Sequence, residues 1–262
     1  MSFFDIAVTI IPGVPDPSEL VSFYEDAYSQ GAADADRYAR WRALGAVGKA
    51  DHVIALCARA GVRPASTLEV GCGDGALLCE LQARGFGGRL AGAEITPAAV
   101  SIARDRPVID DVWLYDGLHL PVPDRAYDLG ILSHVLEHVP DPPALLSEIA
   151  RACRAVLVEL PLEANLSARR RSKREHAAEV GHLQRLDLRG ARAIARRAGL
   201  TIACELEDPL SLEAQRFFAT TPRARLTATG RWALRTGLFR IAPAVARRLF
   251  TLHYACLCLP GG

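Results

Sequence analysis

The feature that most constrains the fold is a regular alternation of short apolar runs with amphipathic stretches from Thr67 onward. The apolar runs are TLEVG, RLAGAEI, DVWLYD, AYDLGILSH, AVLVELP and LTIACELED. The stretches between them have helical spacing of apolar residues and begin with an N-capping residue or a first-turn proline. Strands that alternate with helices of this length form βαβ units, in which helices cover both faces of a mostly parallel sheet. The sequence therefore predicts a doubly wound α/β fold.

Two regions flank this alternation. Apolar residues recur at helical spacing in SELVSFYEDAYSQG and DADRYARWRALGAVGKADHVIALCARAG, which predicts an N-terminal helical cap over residues 1–60. Residues 211–249 are also largely helical in spacing, whereas the closing FTLHYACLCLP alternates like a strand that returns to the sheet. We therefore expect a core formed by residues 61–210 and 250–262, with a helical insertion at 211–249.

Composition limits the partners and the cellular location. The chain has 262 residues, 31 of them basic and 30 acidic, and the net charge of +1 gives no overall field that favours nucleic acid. Its seven cysteines contain no CxxC pair, which argues against a disulfide framework and a thiolate zinc site. The N-terminus lacks the pattern of a signal peptide, and no apolar run is long enough to span a bilayer. We expect a cytoplasmic protein with no nucleic-acid partner and no bound metal.

The segment LEVGCGDGALL, residues 68–78, joins an apolar strand to a helix through a glycine-rich loop. Such loops usually bind a phosphate, and GCGDGA also fits the GxGxxG/A pattern of dinucleotide sites. Glu69 and Asp74 oppose that interpretation, because a desolvated pyrophosphate beside two carboxylates costs on the order of several kcal/mol. A ligand that carries a sulfonium and an ammonium group would be attracted instead. The alternating glycines indicate close approach of a ligand, and the acids predict that its nearby end is cationic.

Several segments in order resemble the motifs of class I S-adenosylmethionine-dependent methyltransferases. They are LEVGCGDG, the acid Glu94 in AGAEITP, and YDGLHLPVPDRAYDLGILSHVLEHVPDP, and the resemblance spans roughly residues 66–206. It implies a Rossmann-like, mostly parallel seven-stranded sheet with an antiparallel last strand, and S-adenosyl-L-methionine as the cofactor. The pattern is similar to small-molecule methyltransferases that include those of ubiquinone and menaquinone biosynthesis. The implied activity is methyl transfer to a small-molecule acceptor in secondary metabolism or in cofactor or lipid biosynthesis.

The resemblance also implies a cofactor site at the carboxyl ends of the strands. Glu94 would bind the ribose, Asp116 would face the adenine, and Ser133 would lie near the methionine end. The complete set of cofactor-binding residues predicted in this way is Glu69, Gly71, Cys72, Gly73, Gly75, Glu94, Ile95, Asp116, Gly117, Leu118, Ser133 and His134.

Three histidines are candidate catalytic bases, because a hydroxyl or amine acceptor must lose a proton and an imidazole titrates near operating pH. They are His134, His138 and His182. We prefer His138 as the base and expect His134 to contact the cofactor.

Three other functions fit parts of the sequence. His134, Glu137 and His138 match the HxxEH zinc motif of a hydrolase, although no third ligand is evident. The GxGxxG/A pattern leaves open an NAD-dependent oxidoreductase. A pocket for S-adenosylmethionine could also serve a sensor or a cyclase that transfers no methyl group, because fold does not fix function.

The insertion is expected to shape the acceptor pocket. It follows the sixth strand of the sheet, on the same side as the cofactor, and with Tyr24, Tyr28, Tyr38 and Trp41 it could enclose an apolar chamber. Such a chamber suits a small, bulky acceptor better than a protein or RNA chain. The arginines of residues 223–248 give a secondary hypothesis of membrane contact. The oligomeric state is left open.

Overall fold

The computed structural model describes residues 9–10, 20–28, 35–171, 173, 175, 177 and 180–261. Its strands are β1 (Thr9–Ile10), β2 (Ser66–Val70), β3 (Arg89–Glu94), β4 (Asp111–Leu114), β5 (Tyr127–Ser133), β6 (Cys153–Leu162), β7 (Gln184–Arg185), β8 (Leu200–Asp208) and β9 (Leu252–Pro260). Its helices are α1 (Leu20–Tyr28), α2 (Ala35–Ala60), α3 (Ala76–Ala83), α4 (Pro97–Arg104), α5 (Pro142–Ala152), α6 (Leu188–Arg197), α7 (Leu212–Arg216), α8 (Pro222–Ile241) and α9 (Pro243–Leu249). The predicted cap also includes residues 1–8, 11–19 and 29–34, which lie outside the described residues.

Seven of these strands form one sheet in the order β4-β3-β2-β5-β6-β9-β8. Within it, β9 runs antiparallel to both of its neighbours, and the other pairs are parallel. The predicted Rossmann-like sheet with an antiparallel last strand is therefore confirmed. The chain winds outward in both directions from β2, and open α/β sheets bind ligands at the carboxyl ends of the strands beside such a point.

The core lies on both faces of this sheet. Leu56 of α2 and Leu81 of α3 belong to the buried cluster on one face. Ile149 of α5 and Ile194 of α6 belong to the cluster on the other. The central strands β5 and β6 are buried along almost their whole length, which explains why they read as continuous apolar runs rather than alternating ones.

Short-range signals fix where several helices begin. The Asp141 side chain accepts a hydrogen bond from Ala144 N at the start of α5, and Asp187 accepts one from Gly190 N at the start of α6. Helices α7, α8 and α9 follow one another between β8 and β9, which confirms the predicted helical insertion before the last strand. Among the described helices, none is long and apolar enough to cross a membrane.

Candidate active site

The loop between β2 and α3 has a backbone that glycine adopts with least strain. Gly71, Gly73 and Gly75 have φ angles of 72°, 54° and 75°, in the left-handed region. A β-carbon on Gly71 would lie 2.5 Å from Val135 Cγ2, and one on Gly73 would lie 2.6 Å from Tyr28 Oη. The loop's own conformation and packing therefore require these glycines, and close approach of a ligand is not needed to explain them.

Four N–H groups of this loop donate to groups inside the protein, so Gly71, Cys72 and Gly73 have no N–H left for a phosphate. The four hydrogen bonds run from Gly71 and Cys72 to the Ala93 carbonyl, from Gly75 to the Cys72 carbonyl, and from Gly73 to the Glu94 side chain.

Asp74 does not face a ligand as an unpaired charge. Arg42 Nε on α2 donates to Asp74 Oδ2 at 2.8 Å, and the Arg42 guanidinium lies 4.7 Å from the centre of the Tyr28 ring. The buried carboxylate is thus neutralised within the protein. The part of the charge argument that relied on Asp74 is therefore wrong.

Glu69 differs from Asp74, because one of its buried oxygens has no hydrogen-bond partner in the described part of the chain. It is 3% exposed on β2, and its Oε2 has no hydrogen-bond partner among the described residues. Burial raises the pKa of Glu69 to about 8, although Lys49 acts in the opposite direction. A buried carboxyl group without a partner is expected to bind a donor or a cation.

Glu94 connects the glycine loop to the end of β3. Its Oε2 accepts from Gly73 N at 2.9 Å, and its Oε1 accepts from Ile95 N at 2.7 Å and from Thr96. The side chain is 7% exposed. Glu94 therefore braces the loop, and the structure brings together the loop, Glu94 and Ile95 as predicted.

Asp116 lies beyond the end of β4, in a turn that it stabilises itself. Its Oδ1 accepts from Leu118 N at 2.8 Å and from His119 N at 2.6 Å, and its Oδ2 lies 2.8 Å from His119 Nδ1. These bonds lower the pKa of Asp116 to about 2. A β-carbon on Gly117 would lie 3.7 Å from Ile95 Cγ2, which places this turn beside the end of β3.

A first group of polar side chains surrounds Glu137, and we call it the Glu137 cluster. Glu137 Oε1 lies 3.1 Å from His134 Nδ1 and 4.0 Å from His138 Nε2. The His138 and His182 rings are 4.7 Å apart, and Tyr24 Oη on α1 is 2.6 Å from His138 Nδ1. All three predicted candidate bases therefore meet in one place.

A second group surrounds Glu159 on β6, and we call it the Glu159 cluster. Its Oε1 lies 3.3 Å from His52 Nδ1, 3.8 Å from His134 Nε2 and 3.5 Å from His253 Nδ1. The predicted cofactor residue Ser133 belongs here too, with its hydroxyl 3.5 Å from Glu159 Oε2. His134 thus contributes one ring nitrogen to each cluster.

Burial and the nearby carboxylates shift the pKa values of these histidines in different directions, and burial lowers the pKa of His253 in the Glu159 cluster. Burial lowers the pKa of His138 to about 4, and the nearby Glu137 only partly offsets it. Burial also acts to lower the pKa of His134, but Glu137 and Glu159 outweigh burial and raise it. For Glu137, the surrounding imidazoles outweigh burial and lower its pKa to about 2.

The HxxEH motif does not form the helical zinc site that its spacing suggests. His134 has a φ of 58° and precedes the 3-10 turn Leu136–His138, so the two histidines are not one helical turn apart. Both histidines join the Glu137 cluster, and His134 also joins the Glu159 cluster. The side chains that complete these clusters come from far along the chain, which is why no third ligand was evident in the sequence.

Sequence reasoning missed His52, Glu159 and His253 as members of the site. Glu159 interrupts the apolar run AVLVELP near a strand's carboxyl end, and His253 interrupts the closing strand. A charged or titratable residue inside an otherwise buried strand is a signal that could have identified both.

The aromatic residues predicted to enclose a chamber divide between two places. Tyr24 and Tyr28 of α1 lie at the site, on His138 and Gly73 respectively. Trp41 packs against the insertion, with its ring 5.2 Å from that of Phe217. Tyr38 is half exposed, so it contributes little to a buried chamber.

Comparisons with known proteins agree with this arrangement. A family model described as a methyltransferase domain matches residues 38–205, more than half of the chain. Ajmaline N-methyltransferase of Rauvolfia serpentina is 33% identical over 97 residues, which cover 34% of this chain and 32% of that protein. The match thus spans about a third of the length of this curated relative.

Solved structures with a similar fold include three enzymes of different activity. Geranyl diphosphate C-methyltransferase from Streptomyces coelicolor A3(2), in complex with Mg²⁺, geranyl diphosphate and S-adenosyl-L-homocysteine, has a TM-score of 0.64 at 13% identity, over 95% of this chain and 99% of that one. The cyclase SpnF has a TM-score of 0.59 at 16% identity, over 97% and 100%. Phosphoethanolamine N-methyltransferase 2 of Haemonchus contortus has a TM-score of 0.57 at 14% identity, over 81% and 53%. At these identities, the similarity shows the fold.

Proposed function

Because the chain belongs to the methyltransferase-domain family, we propose that it transfers the methyl group of S-adenosylmethionine to a small-molecule acceptor. The observation that carries this proposal is the buried, unpartnered Glu69 before the glycine loop, where Gly71, Cys72 and Gly73 use their N–H groups inside the protein. That combination suits a ligand with a cationic end and does not suit a pyrophosphate.

The cofactor site consists of residues at the ends of β2, β3, β4 and β5. Glu94 would accept from the ribose hydroxyls with lone pairs that its bonds to Gly73 and Ile95 leave free. Asp116, with Gly117 and Leu118, would bind the adenine end. Glu69 would act on the ammonium end, where a positive charge would lower its raised pKa.

When bound, S-adenosylmethionine supplies a methyl group that its sulfonium already activates, so the protein has to align the acceptor and take up the acceptor's proton. His138 is the proposed base. Its Nδ1 lies 3.1 Å from the Gly181 carbonyl, which can only accept, and 2.6 Å from the Tyr24 hydroxyl, which donates to the Val180 carbonyl. Nδ1 therefore carries the proton, and Nε2 can take one. The lowered pKa of about 4 keeps this ring neutral at neutral pH.

The acceptor is proposed to be a compact molecule bound under the helical insertion and α2. Trp41 of α2 packs against Phe217 and Phe218 of the insertion, with ring centres about 5 Å apart. The named relatives act on an alkaloid, an isoprenoid diphosphate and a phosphorylated amine, which supports a role in secondary metabolism or in cofactor or lipid biosynthesis. We place the reaction in the cytoplasm, with membrane contact through residues 223–248 as a secondary hypothesis.

Thermal unfolding with added ligands tests the cofactor. S-adenosylmethionine or S-adenosylhomocysteine at about 100 times its Kd should raise the Tm by about 5–10 °C, and NAD should not. Glu94→Ala should abolish this shift, whereas Glu213→Ala, which removes an exposed acid of α7, should keep it. Stabilisation by NAD alone would favour an oxidoreductase and contradict the proposal.

A cyclase or sensor that binds the cofactor without methyl transfer is the second candidate. Its support is the fold similarity to SpnF over nearly the whole of both chains. Product analysis separates the two functions. Incubation with candidate acceptors should yield a product heavier by one methylene, together with S-adenosylhomocysteine in equal amount, and an isomerised product without S-adenosylhomocysteine would identify a cyclase.

A further inference from the structure

The Glu159 cluster is built from four distant parts of the chain. His52 comes from the middle of α2, His134 follows β5, Glu159 is near the end of β6, and His253 begins β9. Glu159 is 1% exposed, and the three imidazole side chains are 11–24% exposed. The ligand-type atoms of His134, Glu159 and His253 all lie within 4.8 Å of one another.

These side chains do not satisfy one another by hydrogen bonds. His52 Nδ1, His134 Nε2 and Glu159 Oε1 are buried and have no hydrogen-bond partner within the described part of the chain. Elsewhere in the molecule, an imidazole and a carboxylate that do bond, His182 and Glu163, are 2.8 Å apart. Buried polar atoms without partners indicate that a group is bound there.

The spacing matches a shared metal ion. Zinc ligands lie about 2.1 Å from the metal, so tetrahedral geometry separates two ligand atoms by about 3.4 Å. His253 Nδ1 and His134 Nε2 lie 3.5 and 3.8 Å from Glu159 Oε1. This is longer than a charge-assisted hydrogen bond and close to the edge of a coordination tetrahedron.

A nearby carboxylate orients one of the ligands as metal sites usually require. Glu137 Oε1 lies 3.1 Å from His134 Nδ1, the ring nitrogen opposite the one that faces Glu159. Such a carboxylate fixes the tautomer and strengthens the ligand.

We propose that the Glu159 cluster is a binding site for one divalent transition-metal ion, with the ligands His134, Glu159 and His253. Two imidazoles and one carboxylate, with a fourth position for water, suit zinc, cobalt, nickel or iron rather than magnesium or calcium, which prefer oxygen ligands. The site lies beside Ser133 at the carboxyl edge of the sheet. Its test is independent of the proposed methyl transfer, since metal binding requires neither cofactor nor acceptor.

Titration with Co²⁺ tests the proposal directly. The full chain, treated with a chelator and then dialysed, should bind Co²⁺ with the visible absorption of a four-coordinate site. His253→Ala and Glu159→Gln should each weaken Co²⁺ binding by at least about 100-fold. Circular dichroism and urea unfolding establish that each variant is folded, and His134→Ala provides a further ligand variant if one of them is not.

Two histidine variants serve as matched controls. His119→Ala removes an exposed imidazole far from β6, and His182→Ala removes one from the Glu137 cluster, whose Glu137, His138 and His182 form the other metal-capable group among the described residues. Both should retain Co²⁺ affinity at the Glu159 cluster within about twofold. Wild-type affinity in folded His253→Ala and Glu159→Gln, or loss of all Co²⁺ in His182→Ala alone, would overturn the proposal, as would no binding to the wild-type chain.

Discussion

The two sides of the site use their polar groups differently. On the cofactor side, formed by the glycine loop, Glu94 and the Asp116 turn, most carboxylates already have partners from the backbone or from Arg42. On the acceptor side, formed by the Glu137 and Glu159 clusters, several buried nitrogens and oxygens have none among the described residues. The cofactor side is thus preorganised, whereas the acceptor side retains the unsatisfied groups on which reactivity depends.

The largest expected effect is on the acceptor side. His138→Ala should lower kcat about 100- to 10,000-fold, because it removes the proposed base that takes up the acceptor's proton, while the thermal shift with S-adenosylmethionine stays unchanged. As the pH is lowered, protonation of His138 should reduce the wild-type kcat/KM only near pH 4, since the ring is neutral above that pH. The rate of S-adenosylhomocysteine formation, with the acceptor found by product analysis, measures this. An unchanged kcat in His138→Ala would remove His138 from the role.

The next effect concerns how firmly the cofactor side is preorganised. Arg42→Ala leaves Asp74 buried and unpaired, and it should lower the free energy of unfolding by about 2–3 kcal/mol. Urea unfolding measures it. Arg154→Ala is a matched control, since that arginine is mostly exposed and 3.6 Å from Asp128, and it should cost less than about 0.5 kcal/mol. Equal costs would show that the Arg42–Asp74 pair does not hold the loop.

Glu69 is the exception on the cofactor side, and pH should reveal it. Between its ordinary pKa of 4.5 and its folded pKa of about 8, the folded chain keeps a proton that the unfolded chain releases. Its contribution to stability is therefore complete below pH 4.5 and is lost as the pH rises through 8. Glu69→Gln should therefore gain free energy of unfolding relative to the wild type as the pH rises. This gain should be about 1–3 kcal/mol larger at about pH 7.5 than at about pH 5. The same difference at both pH values would contradict the raised pKa.

The smallest effect concerns the glycine loop itself. Gly73→Ala forces a φ of 54° on alanine and places its β-carbon against Tyr28, so it should cost about 1–2 kcal/mol and weaken the cofactor's thermal shift. Gly48→Ala, inside α2 and with open space around it, should instead stabilise the chain by about 0.5–1 kcal/mol. Differential scanning calorimetry compares the two. Stabilisation by both substitutions would mean that the loop tolerates a side chain.

The difference between the two sides also explains what the sequence could predict. The glycine loop and Glu94 come from consecutive strands, so their meeting follows from the βαβ pattern alone. Asp74 shows the limit of that reasoning, because its partner Arg42 lies on a helix whose docking has no local signal. The Glu159 cluster is even harder to predict from the sequence. His253 meets Glu159 only because β9 inserts antiparallel between β6 and β8, which pairs residues almost a hundred positions apart.

The left-handed conformation of His134 has a consequence for how the acceptor side titrates. One ring links two carboxylates, with Nδ1 toward Glu137 and Nε2 toward Glu159. A metal ion at Nε2 commits the single proton of the neutral ring to Nδ1, and so to Glu137, which neighbours the proposed base, whereas a neutral ring with its proton at Nε2 leaves Nδ1 without one. The occupancy of one cluster is therefore transmitted to the other through a single tautomer, and an apparent pKa measured for either cluster belongs to both.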